Sequence, residues 1–85
     1  MVPPQAWGGS PEEILLSRET MRLIEQAIEA LPVGQQQVIT LRDLEGWSSE
    51  EVPNVLEISE TNQRVLLHRA RSRVRAALER HFDRD

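Results

Sequence analysis

The chain has 85 residues, no cysteine, ten basic residues that are all arginine, and a net charge of −4. That length suffices for one small domain with a modest core, and the missing cysteines exclude disulfides and thiolate metal sites and fit a reducing cytosol. No apolar run reaches membrane-spanning length, the N-terminus lacks the basic-then-apolar pattern of a signal peptide, and the Ala/Leu/Glu/Arg-rich composition points to an all-α fold.

Residues 1–10 read as a Pro- and Gly-rich linker or tail, and residues 11–82 as the folded domain. Order begins at Ser10-Pro11-Glu12-Glu13, a capping box with proline in the first helical position. The first helix carries a seam of Ile14, Met21, Ile24, Ile28 and Leu31, with Ser17 inside it, and Pro32-Val33-Gly34 ends it. A second helix is expected over about Gln35–Leu44, burying Val38, Leu41 and Leu44, with Ile39 at the edge of the seam. Glu45-Gly46 breaks it, and Trp47 is expected to plug the core beside the turn.

A short third helix starts at Ser48 or Ser49, where Ser48 and Glu51 repeat the capping box and Val52, Val55 and Leu56 supply the inner face. Glu57-Ile58-Ser59 is then a three-residue turn, with Ile58 inward and Ser59 capping a long last helix. Four helices with short connections follow, the last two in helix-turn-helix order.

The net charge conceals a split. Residues 1–63 hold three arginines against eleven acids, a net of −8, whereas residues 64–85 hold seven arginines against three acids, a net of +4. At helical spacing Leu67, Ala70, Val74, Ala77, Leu78 and His81 share one side of the last helix. Thr61, Val65, His68, Arg69 and Ser72 share the other, flanked by Arg64, Arg71 and Arg75. A seam packed on the domain therefore leaves a basic face outward, suited to the major groove: arginine pairs in a fork with guanine, and Val65 can touch a thymine methyl. Arg73 and Arg80, off to one side, are better placed for phosphates. The bland alternative is a solvated basic surface. Two adjacent apolar residues on it, Val65 and Leu66, argue instead for a contact surface, as does the turn before the helix.

Ala30-Leu31-Pro32, the run from Gln37 to Ser48 with its Leu41-Arg42-Asp43-Leu44-Glu45-Gly46-Trp47 segment, Glu50-Glu51-Val52, Ile58-Ser59-Glu60 and His68-Arg69-Ala70-Arg71-Ser72-Arg73-Val74-Arg75 come in a telling order. Together they resemble the C-terminal domain, region four, of bacterial extracytoplasmic-function sigma factors over roughly residues 11–80. The resemblance implies a four-helix domain of the winged-helix-like DNA-binding superfamily, without a wing. It implies binding of the promoter −35 element, docking on the flap of the RNA polymerase β subunit, an anti-sigma partner, a cytoplasmic setting and no cofactor. It also implies a preceding domain that melts the −10 element, so that the chain is expected to be a part of a longer protein. Carried over position by position, Arg64, Val65, His68 and Arg69 fall where the family reads bases, and Asn62 and Arg71 where it contacts the DNA backbone. Arg42 and the start of the third helix, Ser48 and Ser49 to Glu50, fall near the other strand.

The chain departs from the family pattern in places. Where the family has Gly-Thr-Val-Lys-Ser-Arg, this sequence has Thr61-Asn62-Gln63-Arg64-Val65-Leu66. Gln63 takes a core position usually held by valine, so its amide must find a partner or reach solvent, at a cost of roughly 1–3 kcal/mol if it does neither. Val65 and Leu66 replace a serine and an arginine that help hold DNA. Pro53 stands for alanine within a short helix and is expected to distort it or delay its start. Glu57 replaces the common turn glycine and is expected to adopt a left-handed conformation.

Two rival readings are a LuxR-type response-regulator effector domain, which generally lacks so arginine-dense a tail, and a region-four domain that mainly docks on proteins and binds DNA weakly. Enzymatic chemistry finds no support. His68 and His81 stand thirteen residues apart with no ligand spacing between them, so no metal site is expected. Glu12-Glu13 and Glu50-Glu51 sit in first helical turns, where they complement the helix dipole.

Overall fold

A computed structural model of the chain describes residues 11–83, with side-chain surroundings from residue 17 onward. The linker over 1–10, the Ser10–Glu13 capping box and the Ile14 side chain lie outside that description. Among the described residues the fold is all-α: α1 (Pro11–Glu29), α2 (Val33–Ile39), which continues as a π-helical turn over Thr40–Leu44, α3 (Glu51–Leu56) and α4 (Glu60–Phe82).

The core gathers Ile28 and Leu31 of α1 and its exit, Val38 and Ile39 of α2, Val52 of α3, and Leu67, Ala70 and Val74 of α4. Helix α4 is the axis on which the other three pack, and its buried positions 63, 67, 70 and 74 repeat at spacings of three and four. α1 and α4 run antiparallel: Leu23 lies by Ala77, Arg80 and His81, whereas Leu31 lies by Arg73. Ile24 is half-buried against the core as expected, but Met21 is exposed, against expectation. His81, expected on the α4 seam, is also exposed and meets Phe82 edge to face.

α2 corrects the expected seam. Pro32 adopts φ −55° and ψ 150° immediately before the helix, and its carbonyl accepts from the Gln36 amide at 2.9 Å. The helix thus starts at Val33, and Gly34 belongs to it rather than to the break. The inward stripe is Gln35, Val38 and Ile39, with half-buried Arg42 at its end. Ile39 is buried and Leu44 exposed, the reverse of the expectation. A stripe at spacings of three and four that begins and ends on polar residues is invisible when only apolar residues are followed. Past Ile39 the turn widens: the Glu45 amide donates to the Thr40 carbonyl and the Trp47 amide to the Leu41 carbonyl, both at 2.9 Å. Gly46, at φ 76°, completes the reversal, and Trp47 packs half-buried against the core.

α3 is entered through the expected capping box. The Glu51 amide donates to Ser48 Oγ at 3.0 Å, and the Ser48 amide donates to Glu51 Oε1 at 2.9 Å. The Ser48 amide, and after it the Ser48 hydroxyl, hold the Glu51 carboxyl below its ordinary range. Regular α-helix starts only at Glu51, so Pro53 lies in its first turn, where a proline is tolerated. Pro53 is itself buried, and the inner face of α3 is Val52, Pro53 and Leu56, with Val55 turned to solvent against expectation. No described helix is long and apolar enough to cross a membrane.

Candidate nucleic-acid interface

The turn between α3 and α4 is built from three residues. Glu57 adopts φ 57° and ψ 46°, the left-handed conformation expected of it, and the next amide, that of Ile58, donates to the Pro53 carbonyl at 3.0 Å. Ile58 turns in against the core. Ser59 is extended and its hydroxyl accepts from the Asn62 amide at 3.0 Å, so α4 starts at a defined place and angle.

With Gln63, Leu67, Ala70 and Val74 buried, the opposite face of α4 is fixed outward. Thr61, Asn62, Arg64, Val65, His68, Arg69, Ser72 and Arg75 are all exposed. Two shallow hollows flank this face. One, between α4 and the start of α3, is lined by Arg42, Ser49, Glu60, Gln63, Arg64 and Arg71. The other runs along α4 past Arg64, His68, Arg71, Ser72 and Arg75. Four of the residues singled out from the sequence, Arg42, Ser49, Arg64 and Arg71, therefore converge from three elements, and His68 lies one step along. Val65 and Arg69 line neither hollow and remain on the exposed face of α4, and Ser48 is exposed but occupied in the α3 cap.

Two of these residues are committed within the domain. Arg71 donates to both oxygens of Asp43, and Arg42 donates from Nη1 to Gln63 Oε1 at 3.1 Å. The Asp43 carboxyl is held below its ordinary range, first by the Arg71 hydrogen bonds; burial opposes them, and the charges of Arg71 and then Arg42 add further lowering. Leu66, read from the sequence as half of an exposed apolar pair, is half-buried, with its methyl groups 3.5 and 3.7 Å from where a Cβ on Gly34 would stand. Val65 alone interrupts the polar surface.

Sequence reasoning missed Asp43 and the role of Gln63. Asp43 had no local signal, since its partner lies 28 residues away. Gln63 had one: a polar residue on a buried stripe must be bonded to something. Its amide donates to the Ser49 carbonyl at 3.0 Å and accepts from Arg42, so it is satisfied at 3% exposure. Among the described residues, no three His, Asp or Glu side chains gather as metal ligands would.

A face of exposed arginines on the second helix of a helix-turn-helix is the geometry with which such motifs meet duplex DNA. The family described as "Sigma-70, region 4" matches residues 21–74. The chain belongs to that family. Its sigma-factor relatives include the ECF RNA polymerase sigma-E factor of Escherichia coli (strain K12), 34% identical over 65 residues, covering 76% of this chain and 34% of that protein. The sigma-E factor of Salmonella typhimurium (strain LT2) matches with the same identity and coverage. The RNA polymerase sigma-H factor of Pseudomonas aeruginosa is 33% identical over 70 residues, 82% of this chain and 36% of that protein. The chain spans about a third of the length of these relatives. They lend nothing to the response-regulator alternative.

Proposed function

We propose that this chain is the promoter-recognition domain of a bacterial alternative sigma factor, binding the −35 element in the cytoplasm while other faces engage RNA polymerase. The observation that carries the proposal is the exposed α4 face of Arg64, Val65, His68 and Arg69, set by a capped turn against a buried opposite stripe in a region-4 domain. Arg64 and Arg69 are the side chains suited to forked contacts with base edges, and His68 and Val65 lie between them in the sequence. In this reading Asn62, Arg71 and the residues around the α3 start, Arg42, Ser48 and Ser49, contact phosphates on either side, with Arg75 beyond them. Residues 11–82 act as the folded unit, and docking on the polymerase β flap and on an anti-sigma factor belongs to the same reading. The relatives' names supply the class, and the arginine-rich face supplies the mechanism: phosphate contacts give affinity, and base edges give sequence.

A gel-shift titration across salt, comparing a −35-type duplex with a random-sequence duplex, tests the proposal. Binding to the −35-type duplex should persist at salt concentrations where the random duplex has dissociated. Equal salt sensitivity on both duplexes would leave the protein without promoter recognition of its own.

A further inference from the structure

We infer that Gln63 is a positioning residue for DNA binding: it joins α3 to α4 and holds the Arg42 guanidinium at the hollow between them, and Pro53 makes a glutamine necessary there. The inference rests on the DNA-binding reading above.

The backbone ladder at the start of α3 sets the requirement. The Val52 amide donates to the Ser48 carbonyl at 3.2 Å. The next bond of the series would run from residue 53 to the Ser49 carbonyl, but Pro53 has no N–H to give. Ser49 is half-buried and Pro53 buried, so this carbonyl would lose solvent without gaining a partner. Gln63 Nε2, reaching across from α4, fills the missing place at 3.0 Å. Two separate departures from the family pattern therefore answer each other.

The other end of the same amide does the positioning. With Nε2 given to Ser49, Oε1 is free to accept from Arg42 Nη1 at 3.1 Å. A carboxamide is the side chain that donates at one end and accepts at the other; valine does neither, and an ionised glutamate only accepts. The acceptor is also neutral. Arg42 is held in place without a salt bridge of its own among the described residues, since the ion pair found there joins Asp43 to Arg71 and Arg42 adds only its nearby charge to Asp43. A guanidinium offers five N–H donors in a fixed plane, so one bond to Gln63 orients the rest. They sit at a hollow shared with Arg64. The ligand such an arrangement suits is a backbone phosphate of the strand beside α3.

Four variants of the chain test this, with random-sequence duplex DNA as the probe and binding measured against salt. Gln63→Val alone should melt below the parent, because the Ser49 carbonyl loses its donor. Adding Pro53→Ala restores a backbone N–H for that carbonyl, so the double variant should melt where the parent does. Stability and DNA binding then separate. If Gln63 positions Arg42, the stable double variant still binds several-fold more weakly, and its slope of log affinity against log salt falls by about 0.9, the loss of one phosphate contact. Arg42→Ala should show the same fall, and Arg42→Lys should keep most of the slope. A double variant that regains the parent's slope would reduce Gln63 to a structural patch, and an Arg42→Ala variant with an unchanged slope would remove Arg42 from the contact. A double variant that melts no higher than Gln63→Val would refute the pairing with Pro53. A parent chain that holds no duplex even at low salt would instead sink the DNA-binding reading itself.

Discussion

Arg71 grips the Asp43 carboxylate with two parallel bonds, Nη2 to Oδ1 at 2.6 Å and Nε to Oδ2 at 2.8 Å, tying the π-helical turn after α2 to the middle of α4. The geometry is the forked one that makes an arginine–carboxylate pair stronger than a single contact. Its side chains are nevertheless 49% and 32% exposed, so solvent screens much of the attraction. We expect Asp43→Asn to cost about 0.5–1 kcal/mol near neutral pH, the upper part of the range for exposed pairs. Because the folded carboxyl is held below its ordinary value, this contribution is complete above the unfolded aspartate pKa of about 3.9 and is lost as pH falls through the lower folded value. Urea unfolding of the parent and of Asp43→Asn should therefore differ near neutral pH and converge in strong acid. A gap that persists in acid would mean that Asp43 acts through packing rather than charge.

The same pair bears on DNA. In the reading proposed above Arg71 contacts the DNA backbone, yet its donors already serve a carboxylate, which has the geometry of a phosphate edge. A phosphate must displace Asp43 to be held. Removing that competitor with Asp43→Asn should therefore tighten binding to random-sequence duplex and steepen the log affinity–log salt slope by up to about 0.9, one added phosphate contact. Arg71→Ala in the parent should change the slope far less than Arg64→Ala, since Arg64 has no such partner among the described residues. Equal losses from the two alanine variants would show that Asp43 yields Arg71 to DNA without cost.

Glu57 holds φ 57° at the turn into α4, a conformation that costs an L-residue with a side chain roughly 1–2 kcal/mol. It is exposed, and its side chain appears in none of the hydrogen bonds found among the described residues. Glu57→Gly should relieve that cost, less the entropy glycine gains when unfolded, for a net stabilisation of about 0.5–1 kcal/mol and a rise of a few degrees in Tm. Calorimetry of the two chains decides it. A lower Tm in the glycine variant would mean that the glutamate supports the turn in a way its backbone angles do not reveal.

Why some of this was legible in the sequence and some was not follows from where the information lies. The capping residues Ser48, Glu51 and Ser59 act within three positions of themselves, so their hydrogen bonds could be read directly from spacing. The outward face of α4 was equally legible, because a 23-residue helix has length enough for its apolar period to declare itself. The seven-residue α2 has not. There the stripe begins at Gln35 and ends at Arg42, and counting apolar residues rotated it toward Leu44. In α3, buried Pro53 took the inward place that Val55 was expected to fill. What stayed hidden was tertiary: Asp43 with Arg71, and Gln63 with both Arg42 and Ser49, are pairings across 28, 21 and 14 residues that no local pattern encodes.

Val65 and Leu66 replace a serine and an arginine of the family pattern, and the structure gives them different work. Leu66 is half-buried over Gly34, so Leu66→Arg should remove apolar cover from α2 and cost on the order of 1–2 kcal/mol, even as its added charge strengthens binding to any duplex. Val65 is 40% exposed on the face that includes Thr61, His68, Arg69 and Ser72. Val65→Ser should leave stability within about 0.5 kcal/mol of the parent, as surface substitutions usually do. It should also leave the salt slope unchanged, since no charge is altered. What it should change is sequence choice. A valine on this face favours a thymine methyl, whereas a serine hydroxyl bonds to several base edges, so the preference at one base pair should relax by about 1–3 kcal/mol. Selection from a random duplex pool with each protein reads this directly. Identical enriched sequences from the parent and Val65→Ser would show that Val65 faces the groove without touching a base, and specificity would then rest on Arg64, His68 and Arg69.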